Sequence, residues 1–157
     1  DREHTSWLYT ARKAAEREYD ALETLYPQVS VPRPVDQNRH AVLMERMDGV
    51  ELSRADVSGQ AQGVLDLVLR ELGAAYEAGY VHADVSEYNV FVDESGVTVF
   101  DWPQAVESDH ANARELLERD VANIAAYLHR KYPGEVGEVD ATSVAAALAD
   151  GEFESVT

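Results

Sequence analysis

An α+β fold follows from three features of the sequence. Four stretches carry apolar residues every three to four positions, two short apolar runs, NVFVD and VTVFD, flank the turn Glu94-Ser95-Gly96, and a proline-punctuated stretch, VSVPRPV, separates the first helical pattern from the rest. With 157 residues, 45% of them hydrophobic, the chain can bury one compact core and not several.

Taken in order, Trp7, Leu8, Ala11, Ala15, Leu22 and Leu25 predict one long amphipathic helix, stopped by Pro27. Pro32 and Pro34 then favour extended backbone. Positions 41–45 read as a strand and Asp48-Gly49 as a turn. Leu65, Val68, Leu69, Leu72 and Tyr76 share one face of a helix predicted over 59–77, with Gly79 as its C-terminal stop. The stripe Leu117, Val121, Ile124 and Leu128 predicts a helix over 112–131, and a short helix is expected over 142–149. Asp120 lies within the third helix, where it reads either as a solvated charge or as a tie for a neighbouring loop.

Thirty acidic residues against 13 basic ones give a net charge of −17, and the lysines are Lys13 and Lys131. A surface so acidic and so poor in lysine fits a protein kept soluble at high salt, and it argues against a nucleic-acid groove of the usual basic kind. If the charge is a salt adaptation, the melting temperature should rise with added monovalent salt, because the screening length shrinks from about 10 Å at 0.1 M to about 3 Å at 1 M. A flat or falling melting temperature over that range would count against the reading. The chain has no Cys, hence no disulfide framework or thiolate metal site, and no apolar run approaches bilayer length. No signal peptide is visible, so a cytoplasmic location is the expectation.

The chemistry concentrates in VHADVSEYN and VTVFDWPQ, which contain His82, Asp84, Asn89 and Asp101. An H-x-D-x-x-x-x-N run, followed on a neighbouring strand by a second Asp, is the arrangement of a kinase-like phosphotransferase. Phosphoryl transfer spreads charge over phosphate oxygens, so carboxylate and amide oxygens must hold hard Mg²⁺ ions while a carboxylate orients the acceptor. In that arrangement Asp101 and Asn89 are metal ligands and Asp84 is the acceptor-orienting base. The hairpin predicted between them brings Asn89 and Asp101 to the same end. Any one of these residues alone also has a plain structural reading, since Asp and Asn commonly bond local backbone in turns. Their joint pattern is what points to chemistry.

These motifs resemble the RIO family of atypical protein kinases. The resemblance runs from about Ser6 to Leu128 through SWLYTARKAAEREYDALETLY, RHAVLMERMDGVEL, HADVSEYNVFV, VFDWPQAV and ANARELLERDVANIAAYL, and DWPQ and RHAVLMERMDG look more like the type-two subfamily. It implies a protein-kinase-like fold, with 1–52 as part of the nucleotide-binding lobe and 53–157 as the helical lobe. Further implications are ATP and Mg²⁺ as cofactors, Met44 behind an adenine pocket, and Glu45 and Met47 as the hinge that binds the adenine edge. Glu18 then looks like the helix glutamate that pairs with a nucleotide-binding lysine, and Asp101 the group that accepts phosphate. The partner implied is the precursor of the small ribosomal subunit, its rRNA and proteins. Aminoglycoside- or choline-kinase-like enzymes share the same short motifs, and a non-catalytic assembly module is a third reading.

Three departures from an ordinary protein kinase carry content. No Gly-rich loop or strand lysine precedes the first helix, so the expectation is a fragment of a longer chain that carries them upstream, itself turning over little or no ATP. Ala83 stands where many kinases place the arginine that receives an activation-loop phosphate. Only the short run WPQAVESDHA separates Asp101 from the next helix, leaving little room to dock an extended peptide.

Overall fold

A computed structural model of the chain describes residues 2–31, 34–37, 42–44 and 49–155, with side chains described for 12–31, 34 and 49–155. Among the described residues there are four helices: α1 (Arg2–Leu25), α2 (Ala61–Ala78), α3 (Ala113–Lys131) and α4 (Ala141–Asp150). Seven short strands accompany them: β1 (Pro34–Gln37), β2 (Val42–Met44), β3 (Val50–Glu51), β4 (Tyr80–Val81), β5 (Val90–Asp93), β6 (Gly96–Val99) and β7 (Val106–Glu107). The strands fall in two runs, β1–β3 and β4–β7, set between helices and paired antiparallel, an α+β arrangement. Each helix lies within a few residues of its expected span.

The helical core is built from the predicted stripes. Leu22 and Leu25 of α1, Leu65 and Leu69 of α2, and Leu117, Ile124 and Leu128 of α3 are all fully buried. Helix α4 seats Ala145 and Leu148 against α2 and α3. Gly73 permits that approach, since a Cβ there would come within 3.0 Å of Leu148 Cδ2. Helix α2 ends as anticipated at Gly79, whose φ of 115° places it in the left-handed region and whose N–H reaches back to the Ala75 and Tyr76 carbonyls. Among the described residues no helix is long and apolar enough to cross a membrane.

Three small sheets surround this core, ordered β1-β2, β3-β5-β6 and β4-β7, with every pairing antiparallel. The hairpin between β5 and β6 forms where expected, and its register pairs Val90 with Val99 and Asp93 with Gly96. Its turn is set by the Asp93 carboxylate, which accepts from the N–H groups of Ser95 and Gly96. Pairing of β4 with β7, Tyr80 opposite Glu107 and Val81 opposite Val106, was not anticipated. Two-residue strands carry too little alternation to be read from sequence.

These two ladders decide where the site lies. Residues 82–89 connect β4 to β5, and residues 100–105 connect β6 to β7. Because β4 pairs with β7 and β5 with β6, both connections bridge the same two ladders and must run alongside one another.

Candidate functional site

The first connection begins with His82, 1% exposed and packed against the Trp102 ring at 4.7 Å between centroids. His82 Nδ1 accepts the Asp84 N–H at 3.1 Å, while Nε2 lies 2.7 Å from the Phe100 carbonyl. Together these require the neutral tautomer protonated on Nε2. Burial, the largest influence, pushes the imidazole pKa down and supports that neutral form, against the raising effects of the Phe100 carbonyl and the Asp84 and Asp101 charges. One neutral ring thus clips the two connections together.

Asp84 itself is exposed, while its backbone is held on both sides. Its N–H goes to His82 and its carbonyl accepts Asn89 Nδ2 at 2.7 Å. Asn89 is only 5% exposed, and its Oδ1 accepts the Ser86 N–H at 2.8 Å. An amide oxygen that accepts one hydrogen bond retains a second lone pair, so Asn89 can brace the loop and still offer an oxygen to a cation.

Asp101 leaves the end of β6 with a φ of 60° and an exposed side chain. Short polar side chains tolerate this left-handed region better than most. The Phe100 N–H donates to the Asn89 carbonyl at 2.9 Å, so Asn89 and Asp101 do lie at the same end of the hairpin. Among the described residues no three His, Cys, Asp or Glu side chains converge as a metal set. The side chains that could hold a hard divalent ion are the exposed Asp101 carboxylate and the Asn89 amide, whose oxygens are of the type Mg²⁺ takes.

Glu18, on the described part of α1, is half-buried and accepts the Trp102 N–H at 3.2 Å. Burial raises its pKa most, the Trp102 N–H opposes that, and the Asp101 charge adds to the rise. The structure therefore brings Glu18 to the segment that carries Asp101. Both lysines occupy helices, Lys13 in α1 and Lys131 at the end of α3. Met44 closes β2 and pairs with Pro34 through the backbone, while Glu45 and Met47 lie outside the described residues.

Asp120 is the group whose role the sequence left open. It is fully buried, and it accepts the N–H groups of Ala83 (2.8 Å) and Val85 (3.1 Å), either side of Asp84. It ties the loop and is not a solvated charge. The available signal was its place in the apolar stripe, three residues after Leu117 and four before Ile124. Desolvation outweighs both hydrogen bonds and the nearby Arg119 charge, and it pushes the Asp120 pKa up from 3.8 to about 6.

The sign of the resulting pH dependence follows from linkage. Holding its proton more tightly when folded, Asp120 contributes most to stability below pH 3.8, and the contribution falls as pH rises to about 6. Asp120→Asn should be less stable overall, because its NH₂ faces one of the two N–H donors, but it should lack this fall. Denaturation midpoints measured across that window check it, and parallel profiles for the two proteins would refute it.

Comparison with known proteins places these observations in context. The family model described as the RIO domain matches residues 1–141. The RIO-type serine/threonine-protein kinase Rio2 of Methanocaldococcus jannaschii is 44% identical over 138 residues, covering 84% of this chain and 51% of the relative. The serine/threonine-protein kinase rio2 of Dictyostelium discoideum is 32% identical over 133 residues, covering 83% of this chain and 26% of the relative. A crystal structure of the Chaetomium thermophilum Rio2 kinase-ADP/Mg²⁺-phosphoaspartate complex superposes with a TM-score of 0.70 at 27% identity, over 96% of this chain and 52% of that one. The chain thus spans about half the length, or less, of these three relatives.

Proposed function

This chain belongs to the RIO family, a membership carried by the RIO-domain match over residues 1–141, and from it we propose that the protein is an ATP-dependent phosphotransferase or ATPase of the Rio2 type. The observation that carries the proposal is the pair of exposed carboxylates, Asp84 and Asp101, on adjoining connections that Asn89 links, its amide bonding the Asp84 carbonyl and its own carbonyl accepting the Phe100 N–H. Mg²⁺ supplies charge neutralisation on the phosphate oxygens, for which Asp101 and Asn89 offer the ligands. Asp84 orients the attacking hydroxyl or water and takes up its proton. Glu18 holds the Trp102 backbone, and through it the segment that presents Asp101. Met44, Glu45 and Met47 are assigned to the adenine pocket and hinge by family resemblance.

Two further parts of the proposal rest on the relatives. Asp101 is the candidate for a transient acyl phosphate, since the Chaetomium thermophilum Rio2 complex contains phosphoaspartate. Precursor small ribosomal subunits are the partner the family resemblance implies, with nucleotide hydrolysis timing release.

The test is acid-quenched labelling of the full-length protein with γ-labelled ATP and Mg²⁺, without any acceptor. A label released by hydroxylamine and absent from Asp101→Asn supports the reading. Labelling of an added sugar, choline or aminoglycoside, with none on the protein, would favour a small-molecule kinase instead.

A further inference from the structure

Helix α3 presents Arg119 and Asp120 as consecutive residues beneath Ala83. Asp120 Oδ2 accepts the Ala83 N–H at 2.8 Å, and Arg119 Nη2 donates to the Ala83 carbonyl at 2.9 Å. Ala83 has a φ of 73°, a left-handed conformation that a residue bearing a Cβ keeps only where its surroundings enforce it. Both of its backbone polar groups are therefore held by adjacent side chains of one helical turn. The Ala83 carbonyl belongs to the same peptide plane as the Asp84 N–H, whose partner is His82 Nδ1. That plane is pinned at its oxygen by Arg119 and at its nitrogen by His82.

We infer that Arg119 is a positioning residue for Asp84: its hydrogen bond to the Ala83 carbonyl fixes the tilt of the peptide from which the Asp84 carboxylate projects, and so its aim at the acceptor. Arg119 is exposed, so burial does not account for its placement, and its charge also favours the ionised Asp120 that accepts the two flanking N–H groups. Lysine could reach the same carbonyl only as a single, rotatable donor, whereas the planar guanidinium is preorganised. The inference rests on the proposed role of Asp84 and names a residue that controls it from outside the loop.

The test compares steady-state ATP turnover of the full-length wild-type protein with Arg119→Ala, Arg119→Lys, Ala83→Gly, the double variant Arg119→Ala/Ala83→Gly, and Asp84→Ala. Misaimed catalytic groups lose rate without losing substrate, so Arg119→Ala should lower kcat by about 10- to 100-fold. KM for ATP should stay within about two-fold, as for an interaction felt only in the transition state. Arg119→Lys should recover part of kcat. In the Ala83→Gly background, where positive φ meets no Cβ opposition, Arg119→Ala should cost clearly less than in the wild-type background. Unchanged kcat in Arg119→Ala overturns the inference, as does a KM increase that accounts for the whole loss, or an equal loss in both backgrounds. If Arg119→Ala does not fold, Arg119→Lys carries the same kcat-against-KM comparison. Full turnover in Asp84→Ala would refute the proposed function itself, whereas loss in Asp84→Ala with none in Arg119→Ala refutes only the positioning role.

Discussion

Asp101→Ala in the full-length protein is expected to abolish Mg²⁺-dependent nucleotide binding together with any hydroxylamine-sensitive phosphoprotein, whereas Asp84→Ala is expected to retain binding and lose turnover. The division follows from what each carboxylate can reach. Asp101 leaves β6 beside Asn89, at one end of a hairpin, so its removal takes away the proposed metal ligand and the candidate phosphate acceptor together. Asp84 projects from a loop whose backbone is bonded by His82, Asn89 and Asp120, so its side chain can be truncated without releasing the loop. The loss in kcat should be roughly 10²-fold or more, the range of a positioned general base. Equilibrium binding of ATP with and without Mg²⁺, beside single-turnover rates, separates the two outcomes. Equal loss of nucleotide affinity in both variants would sink the division, and unchanged turnover in Asp84→Ala would sink the catalytic assignment.

The second large effect belongs to Trp102. At 1% exposure it packs on His82, donates Nε1–H to the Val99 carbonyl at 3.0 Å, and gives its backbone N–H to Glu18. Truncation to alanine removes a fully buried aromatic between the core and both connections, and it should cost about 3–5 kcal/mol of stability. Trp102→Phe keeps a ring against His82 but leaves the Val99 carbonyl without its donor, for a loss nearer about 1–3 kcal/mol. Chemical denaturation of the three proteins provides the comparison. A Trp102→Ala loss below that of Trp102→Phe would show that the ring is not a packing centre.

The residues that read most clearly from the sequence were those whose role is local. Asn89 and Asp101 sit together at the open end of a hairpin announced by apolar runs and a turn, and Gly79 stops α2 because its left-handed conformation is a property of one residue. The resemblance to RIO kinases rested on those same local motifs, and the family comparison and the α+β, protein-kinase-like architecture agree with it. What could not be read depends on long-range contact. The bond from Glu18 to the Trp102 N–H links residues far apart in the chain, and the lysine pairing expected for Glu18 involves no residue that the sequence contains on a strand. Asp120 was ambiguous because helical periodicity reports which face a residue occupies and not whether a partner's backbone waits there. The β4–β7 ladder escaped notice because two residues have no period. That ladder and the hairpin together are nevertheless what set the two connections side by side.

The attachment of α1 has a mechanical consequence. Leu22 and Leu25 root the helix in the core, Glu18 touches Trp102 a little over one turn further out, and the helix continues to Arg2. At 1.5 Å per residue, Glu18 lies about 6 Å and Arg2 about 30 Å from Leu22 along the axis, so for a rotation of the whole helix about Leu22, against its packing at Ala15, the arm ratio would be about five. An ångström of play at Glu18, enough to lose the bond to Trp102, corresponds to a sweep of about 5 Å at the far end. A displacement applied to the outer turns of α1 would by this geometry reach Glu18 reduced about five-fold, as a small movement beside Asp101.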